Sequence, residues 1–335
     1  MQDPYTARAY QKPRGYADDA VMLDYVYGRR GAYPDAGVTD LGMAIHAYAA
    51  GASPPARAVR WRRDWIASQI ETSMIAAGRP VKVLSFACGH LREYEQVHQM
   101  LRDRACNWTA ADQDLESLAH VRDCYDSRTV KCSATSVRAL LRGWHDLDSD
   151  CDLVYSLGLF DYLKGPVAAR VMGALWKHVT PGGRLIVANF ATGTPGAGYM
   201  EMSMDWWLTY RSEADLEGCM SDIPAGEIES AQSSSERPIL AAAAFSGGQS
   251  RLRAELPALQ LQTDPVTRRV ILGRGRELLG YSTVTLPMPM ALVVCPTPIT
   301  LLIPGEAVAG IVIVTSPLPT PSAVAVPSNC RGLFQ

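Results

Sequence analysis

No C-x-x-C pair occurs in the 335 residues, and the eight cysteines (88, 106, 124, 132, 151, 219, 295 and 330) form no cysteine–histidine array of the kind a zinc site uses. That argues against a structural metal and fits a reduced, cytoplasmic compartment. Excess charge of one sign is also missing. Thirty-two Lys and Arg face 34 Asp and Glu, for a net charge of −2, so the chain offers no broad basic surface for nucleic acid. No run reaches the roughly 18 apolar residues of a membrane-crossing helix. Met1-Gln2-Asp3-Pro4-Tyr5 lacks the charged start and apolar run of a signal peptide. A G-x-G-x-x-G fingerprint is absent too, which tells against a nicotinamide dehydrogenase. Arg60, Arg62 and Arg63 make a small basic cluster, but Trp61, Trp65 and Ile66 interleave with it at helical spacing. It reads as the solvated face of an amphipathic helix.

What is present centres on Val81–Glu93. A short apolar run, Val81 to Phe86, stops at Ala87-Cys88-Gly89-His90, and a polar, helix-compatible segment runs from Arg92 to Arg102. That is a strand, a tight turn and a helix, the arrangement that lets backbone approach a ligand at a helix N-terminus. Upstream, Ser53-Pro54-Pro55 predicts a helix start, with Gly78 and Pro80 closing the helix after about Ala77. Downstream, Trp108–Asp112 predicts a second strand ending in an acid, 115–125 a helix, 129–132 a weak strand and 137–144 another helical piece. Asp152–Gly158 reads as a strand, 166–179 as a helix, Thr180-Pro181-Gly182-Gly183 as a turn, and 184–190 as a buried strand. Alternating strands and helices predict an α/β fold, a Rossmann-like, doubly wound, mainly parallel sheet with helices on both faces.

The two ends differ from this middle. Residues 1–52 carry tyrosines at 5, 10, 16, 25, 27, 33 and 48, with a short helix expected over 18–27. They form either an arm packed on the main domain or a helical lid that closes a pocket, and the dense run Tyr10–Tyr16 favours the lid. Residues 233–335 read as an irregular tail, disordered or the product of a frameshift. From 281 onward it holds nine prolines and two charged residues, Glu306 and Arg331, around β-prone fragments such as Ile311–Val314.

In this order the pieces resemble the class I S-adenosylmethionine (SAM)-dependent methyltransferases over about 80–232. Leu84–His90 stands at that family's nucleotide loop, Asp112 at its ribose-binding acid, and Pro181–Val187 at the turn into its fifth strand. The resemblance makes 53–232 a SAM-binding domain and implies SAM contacts at Tyr16, Ala87, Cys88, Gly89, His90, Arg92, Asp112, Gln113, Ser156, Leu157 and Gly158. Ser85 replaces the family's first-strand acid, Ala87 its first glycine and Leu91 its third. The cofactor's amino-acid end must then be held by other groups: Arg92, Glu93 or the arm, with Arg92 and the arm's tyrosines favoured. Leu84–Glu93, Gly158–Leu163 and Trp206–Arg211 look like a narrower bacterial group often labelled with synthesis of a 3-hydroxy fatty acid methyl ester, an extracellular factor.

The implied activity is in-line methyl transfer to a small-molecule carboxylate or hydroxyl acceptor, with alignment and exclusion of water doing most of the work. An acceptor that carries a proton needs a base. Asp161, Asn189 and Tyr199 are the candidates taken as catalytic, beside Tyr162, Glu201, Asp205 and Tyr210. Each has a structural alternative: a helix cap for Asp161, loop-backbone bonding for Asn189, packing for Tyr199 and Tyr210, and for His90 a loop histidine satisfied by backbone. Two other readings keep the ligand. One is a cyclase in which the α-amine attacks the γ-carbon to give azetidine-2-carboxylate and methylthioadenosine; the other is a non-catalytic SAM-binding module. None calls for a metal, a nucleic acid or a membrane span.

Overall fold

The computed structural model describes residues 3–29, 38–77, 79–100, 106–234, 291–293, 300–302 and 309–315. Helices α1 (Pro4–Gln11), α2 (Ala20–Val26) and α3 (Asp40–His46) come first. A π-helical turn at Ala47–Ala52 leads into α4 (Pro54–Ala77). Asp3 opens α1 by accepting from the Tyr5 and Thr6 amides, Asp19 opens α2 through Met22, and Thr39 opens α3 through Gly42. Each cap satisfies amides that the first helical turn leaves unpaired.

The sheet then builds in alternation: β1 (Val81–Phe86), α5 (Arg92–Met100), β2 (Cys106–Asp112), α6 (Leu115–Cys124), β3 (Val130–Ala134), α7 (Val137–Arg142), β4 (Cys151–Ser156), α8 (Gly165–Trp176) and β5 (Val179–Phe190). Helices α9 (Ala197–Met204) and α10 (Glu213–Gly218) and strand β6 (Ser230–Ser234) follow. Ala291–Val293 (β7) and Thr300–Leu302 (β8) pair antiparallel in a separate compact unit, and β9 (Ala309–Thr315) returns to the main one.

Strand order in the main sheet is β3-β2-β1-β4-β5-β9-β6. The first five strands are parallel, while β9 runs antiparallel to both β5 and β6. This is the expected Rossmann-like, mainly parallel α/β sheet. Ile311–Val314, read in the sequence as a fragment of an irregular tail, pairs with Ala188–Leu185 of β5 and with Ser234–Ala231 of β6. Residues 235–290, 294–299, 303–308 and 316–335, to which most of the tail expectation refers, lie outside the described residues.

Side chains of β1 alternate between two cores, as the period of two in a strand requires. Val81 and Val83 meet Ile66, Ile70 and Met74 of α4 and Leu118 and Val121 of α6. Leu84 and Phe86 meet Val171, Met172 and Leu175 of α8 and Leu216 of α10. Each such fully buried side chain contributes roughly 1.5–3 kcal/mol. A third cluster joins Tyr5, Ala9, Met22 and Val26 of the N-terminal helices to Val59, Phe190, Met204 and Trp206.

Pro181-Gly182-Gly183 lies inside β5, where a turn before the strand was expected. Cys151 of β4 pairs with Val179 and Leu153 with Arg184, so β5 spends extra residues between two successive pairings and bulges. A Cβ on Gly183 would stand 2.8 Å from the Thr180 carbonyl oxygen and 2.9 Å from that of Cys151, which only glycine avoids. The cluster at 60–63 also departs from its solvated-face reading. Val59, Arg62, Ile66, Ile70 and Met74 form one buried stripe along α4, and Arg62 is 4% exposed.

Candidate functional site

In a doubly wound sheet the crevice for a ligand opens beyond the strand carboxyl ends where the order reverses, here between β1 and β4. A cleft of about 510 Å³, open solvent included, lies at that point. Ser85, Ala87–Glu93, Tyr155, Leu157 and Gly158 wall it from the sheet side, Arg62 from α4, and Ala20, Leu23 and Tyr27 from the N-terminal arm.

The loop after β1 keeps a glycine-like backbone where glycine is missing. Ala87, Gly89 and Leu91 all have positive φ, at 57°, 53° and 51°. The left-handed region costs a side-chain-bearing residue about 1–2 kcal/mol, so this shape is held by its surroundings. Cys88 N–H donates to the Ala111 carbonyl at 3.1 Å, and Gly89 N–H donates to Asp112 Oδ2 at 2.8 Å. Asp112 Oδ1 accepts from Asp114 N–H at 2.8 Å. Burial pushes the Asp112 carboxyl up, opposed by those backbone hydrogen bonds. Tyr16 lies close enough for Asp112 and Asp114 to raise its phenol further after burial has done so. Gln113 beside them is exposed. Burial pushes the Cys88 thiol well up, helped by Asp112 and Glu93, which favours the protonated thiol.

The arm is fastened to this loop by charge. Arg92 Nε and Nη2 each reach Asp24 at 2.6 Å, Arg92 Nη1 reaches Glu95 Oε1 at 2.9 Å, and His90 Nδ1 meets Asp24 Oδ2 at 2.9 Å. Burial raises the Asp24 carboxyl, but the hydrogen bonds from His90 and Arg92 outweigh it and hold the group below the usual carboxylate range. Arg92, expected to hold a ligand, therefore spends its guanidinium on the protein. His90 is satisfied by a carboxylate of the arm and by stacking on His120 at 4.0 Å, in place of the backbone contact expected of it. The charges in Tyr10–Tyr16 are also taken: Lys12 pairs with Asp205 at 2.5 Å, and Arg14 with Asp114 at 2.6 Å and Glu116 at 2.9 Å.

The catalytic candidates separate. Asp161, on a turn of 3-10 helix at Phe160–Tyr162, is 2% exposed. Its Oδ1 accepts from Phe190 N–H at 2.6 Å and its Oδ2 lies 3.8 Å from Arg62 Nη1; the cap of α8 is Lys164. Burial pushes the Asp161 carboxyl up to about 7 against the pull of Arg62. Asp18 of the arm, hydrogen-bonded to Tyr162, is pushed up to about 6 by burial. Asn189 is fully buried and hydrogen-bonded within the protein. Its amide donates to the Phe190 and Thr209 carbonyls, both at 2.8 Å, and accepts from Arg211, so it ties β5 to the segment that follows. Tyr199 Oη bonds Thr6 Oγ1 at 2.7 Å, and Thr6 bonds Asp3, which in turn meets His46 Nδ1 at 2.8 Å. That chain fixes α9 to α1, a packing role for the phenol. Ser156 is fully buried at the end of β4, and among the described residues its hydroxyl has no hydrogen-bond partner.

Arg62, Asp18 and Asp24 are the site residues that sequence reasoning missed. For Arg62 a signal existed, since it falls on the apolar stripe of α4 three residues after Val59 and four before Ile66.

No family model matches the chain, and no curated protein matches it. Solved structures do. A possible exported protein from Bordetella parapertussis aligns at 13% identity and TM-score 0.53, covering 90% of this chain and 80% of its own. At lower TM-scores the chain is similar to magnesium protoporphyrin IX methyltransferase from Synechocystis with bound SAH (15% identity, TM-score 0.41, covering 66% and 94%). It is also similar to the N-methyltransferase NodS from Bradyrhizobium japonicum in complex with S-adenosyl-L-homocysteine (12%, TM-score 0.37, covering 77% and 87%). At such identities the likeness speaks to fold alone. No helix among the described residues is long and apolar enough to cross a membrane.

Proposed function

We propose that the chain is a SAM-dependent methyltransferase acting on a small-molecule carboxylate or hydroxyl acceptor by in-line transfer. The observation that carries this is the cleft at the β1/β4 switch point, whose loop is shaped by Cys88 and Gly89 amides and clamped by the second-strand acid Asp112. The residues fit the cofactor. Asp112 and Tyr16 stand together for the ribose side, the unpartnered Ser156 hydroxyl awaits a bond, and Leu157 and Gly158 line the floor. When bound, SAM supplies a methyl group on a positively charged sulfur. Ala20, Leu23 and Tyr27 cover the cleft and exclude water from the charged donor, the role of a lid. For an acceptor that carries a proton, Asp161 is the base. Its carboxyl titrates near neutrality, and Arg62 and Asp18 adjoin it.

Incubation with SAM and fractionated cell extract, read by mass spectrometry, tests the reading. Release of S-adenosylhomocysteine supports it, methylthioadenosine points to cyclisation, and binding without turnover points to a module.

Asp112→Ala should weaken SAM binding about 100-fold, because the Gly89 and Asp114 amides lose their acceptor and the loop its shape. Unchanged affinity by calorimetry would remove Asp112 from the site.

Asp161 also gives a pH signature. Its carboxyl holds a proton to about 7 when folded, against 3.8 as the reference value. The folded state binds more protons in between, so this stabilisation is full below about 4 and is lost as pH rises through about 7. Urea midpoints followed from about pH 4 to neutral pH should therefore fall, and Asp161→Asn should flatten the decline, leaving the parts due to Asp18, Glu93 and Asp112, whose carboxyls burial also pushes up. Arg62 and Arg211 both pull the same carboxyl down, against the larger effect of burial. Identical slopes in both proteins would exclude Asp161 as the titrating group.

A further inference from the structure

Among the described residues, three arginines are almost wholly buried, and two of them are saturated. Arg92, 6% exposed, bonds Asp24 through two nitrogens and Glu95 through a third. Arg211, 3% exposed, donates to the Phe160 carbonyl at 2.6 Å, to the Leu163 carbonyl and to Asn189 Oδ1. Arg62, 4% exposed, is different. Its guanidinium carries five N–H donors, yet among the described residues none lies within hydrogen-bond distance of an acceptor. Asp161 Oδ2 stands off at 3.8 Å, and the Phe190 ring lies 5.8 Å below the guanidinium carbon. Asp161 balances the charge from a distance but occupies none of the donors, and a buried guanidinium with idle donors favours a hydrogen-bonding anion.

An acid in the same cleft has a matching deficit. Glu93, on the first turn of α5, is 7% exposed. Tyr155 Oη donates to its Oε1 at 2.5 Å. No other residue among those described donates to it, and no cation lies within 4.0 Å. By contrast, the neighbouring carboxylates Asp24 and Asp112 each accept from two or more donors. Arg62 and Glu93 both line the cleft, and they do not pair with each other.

We infer that Arg62 and Glu93 form a receptor for an α-amino-acid zwitterion, with the Arg62 guanidinium taking the carboxylate and Glu93 taking the ammonium. The inference rests on the SAM reading, in which that zwitterion is the methionine end of the cofactor. Glu93 then does from α5 what an acid at Ser85 would do from β1, and Ser85 itself stays in the cleft wall. Gly158, two residues past β4, borders the guanidinium: a Cβ there would lie 3.6 Å from Arg62 Nη2, an ordinary van der Waals contact.

Calorimetry on the full chain with three probes tests this. S-adenosylhomocysteine has both charges, S-adenosyl-3-thiopropylamine lacks the carboxylate, and 5′-methylthioadenosine lacks the whole amino-acid end. Wild type should bind the first at least about 30-fold more tightly than the last, the scale of two charge-assisted contacts. Arg62→Met should weaken S-adenosylhomocysteine alone by about 10-fold or more. Glu93→Gln should weaken both amine-bearing probes by a similar factor, and methylthioadenosine should be unaffected in either variant, which also reports that the fold is intact. Equal wild-type affinity for all three probes overturns the receptor, as does an equal loss across the probes in the variants. Wild type that binds methylthioadenosine but gains nothing from the amino-acid end overturns the receptor and leaves the SAM reading standing; no binding of any probe overturns both. The wild-type comparison needs no variant to fold.

Discussion

Asp24→Ala is expected to release the N-terminal arm and to lower turnover at least 100-fold. The Asp24 carboxylate is the counter-charge for Arg92 and the hydrogen-bond partner of His90, three groups that are each under 10% exposed. Removing one partner of a buried pair is destabilising by about 3–5 kcal/mol when the survivor cannot escape. Here Arg92 can escape by letting α2 lift, and it keeps Glu95 in either case. The measured loss is therefore capped by the free energy of undocking the arm. Protease sensitivity confined to residues 3–29, a modest change in the urea midpoint and a collapse in activity should appear together, because Ala20, Leu23 and Tyr27 leave the cleft with the arm. Full activity with a protease-resistant arm would show that the apolar contacts of Tyr5, Met22 and Val26 hold it without the ion pair. Deleting residues 1–50 extends the same test, with loss of turnover and a folded sheet as the expected outcome.

Arg211→Met should produce the largest loss of stability, about 3–5 kcal/mol. One guanidinium holds the Phe160 and Leu163 carbonyls on the turn after β4 and Asn189 Oδ1 at the end of β5. A methionine fills comparable volume but leaves the Leu163 carbonyl and Asn189 Oδ1 without donors, and leaves the Phe160 carbonyl with the Leu163 N–H at 3.2 Å alone. Phe160 and Leu163 flank Asp161, so the activity that remains should also show a displaced base, as a lower kcat with binding of SAM retained. A change in the denaturation midpoint worth less than about 1 kcal/mol would mean that water replaces the guanidinium.

The parallel half of the sheet was readable because β1, β2, β4 and β5 are near-continuous apolar runs cut off by loop residues, as strands buried on both faces must be. The strand β9 was not readable, although Ile311–Val314 was noticed. Its partners Leu185–Ala188 and Ala231–Ser234 lie more than 75 residues earlier, and the prolines on either side speak against sheet. The loop after β1 was located by its single glycine, but its conformation was not, since Ala87 and Leu91 adopt positive φ under tertiary constraint that no local propensity reports. At the site, charge misled. Arg92 was the evident candidate beside the loop and proved to be bonded to Asp24, while Arg62, grouped with its neighbours as solvated, is buried in the cleft wall. Pairings across 68 residues, such as Asp24 with Arg92, leave no trace in the spacing of a single chain.

The place of β9 has a consequence for how the molecule comes into being. It separates β6 from β5, so β6 joins the sheet only through a strand made of residues 309–315. A chain emerging from the ribosome can assemble β1 to β5 in order, but the apolar edge of β5 stays open until those residues have been synthesised, well after β6 itself is out. An unpaired edge of that kind invites pairing with another chain. Translation that pauses or stops between residues 235 and 308 would thus yield a product with every cleft residue present and the sheet unfinished. Such a product should be rescued by a separate peptide spanning 306–318, supplied in trans as the missing strand.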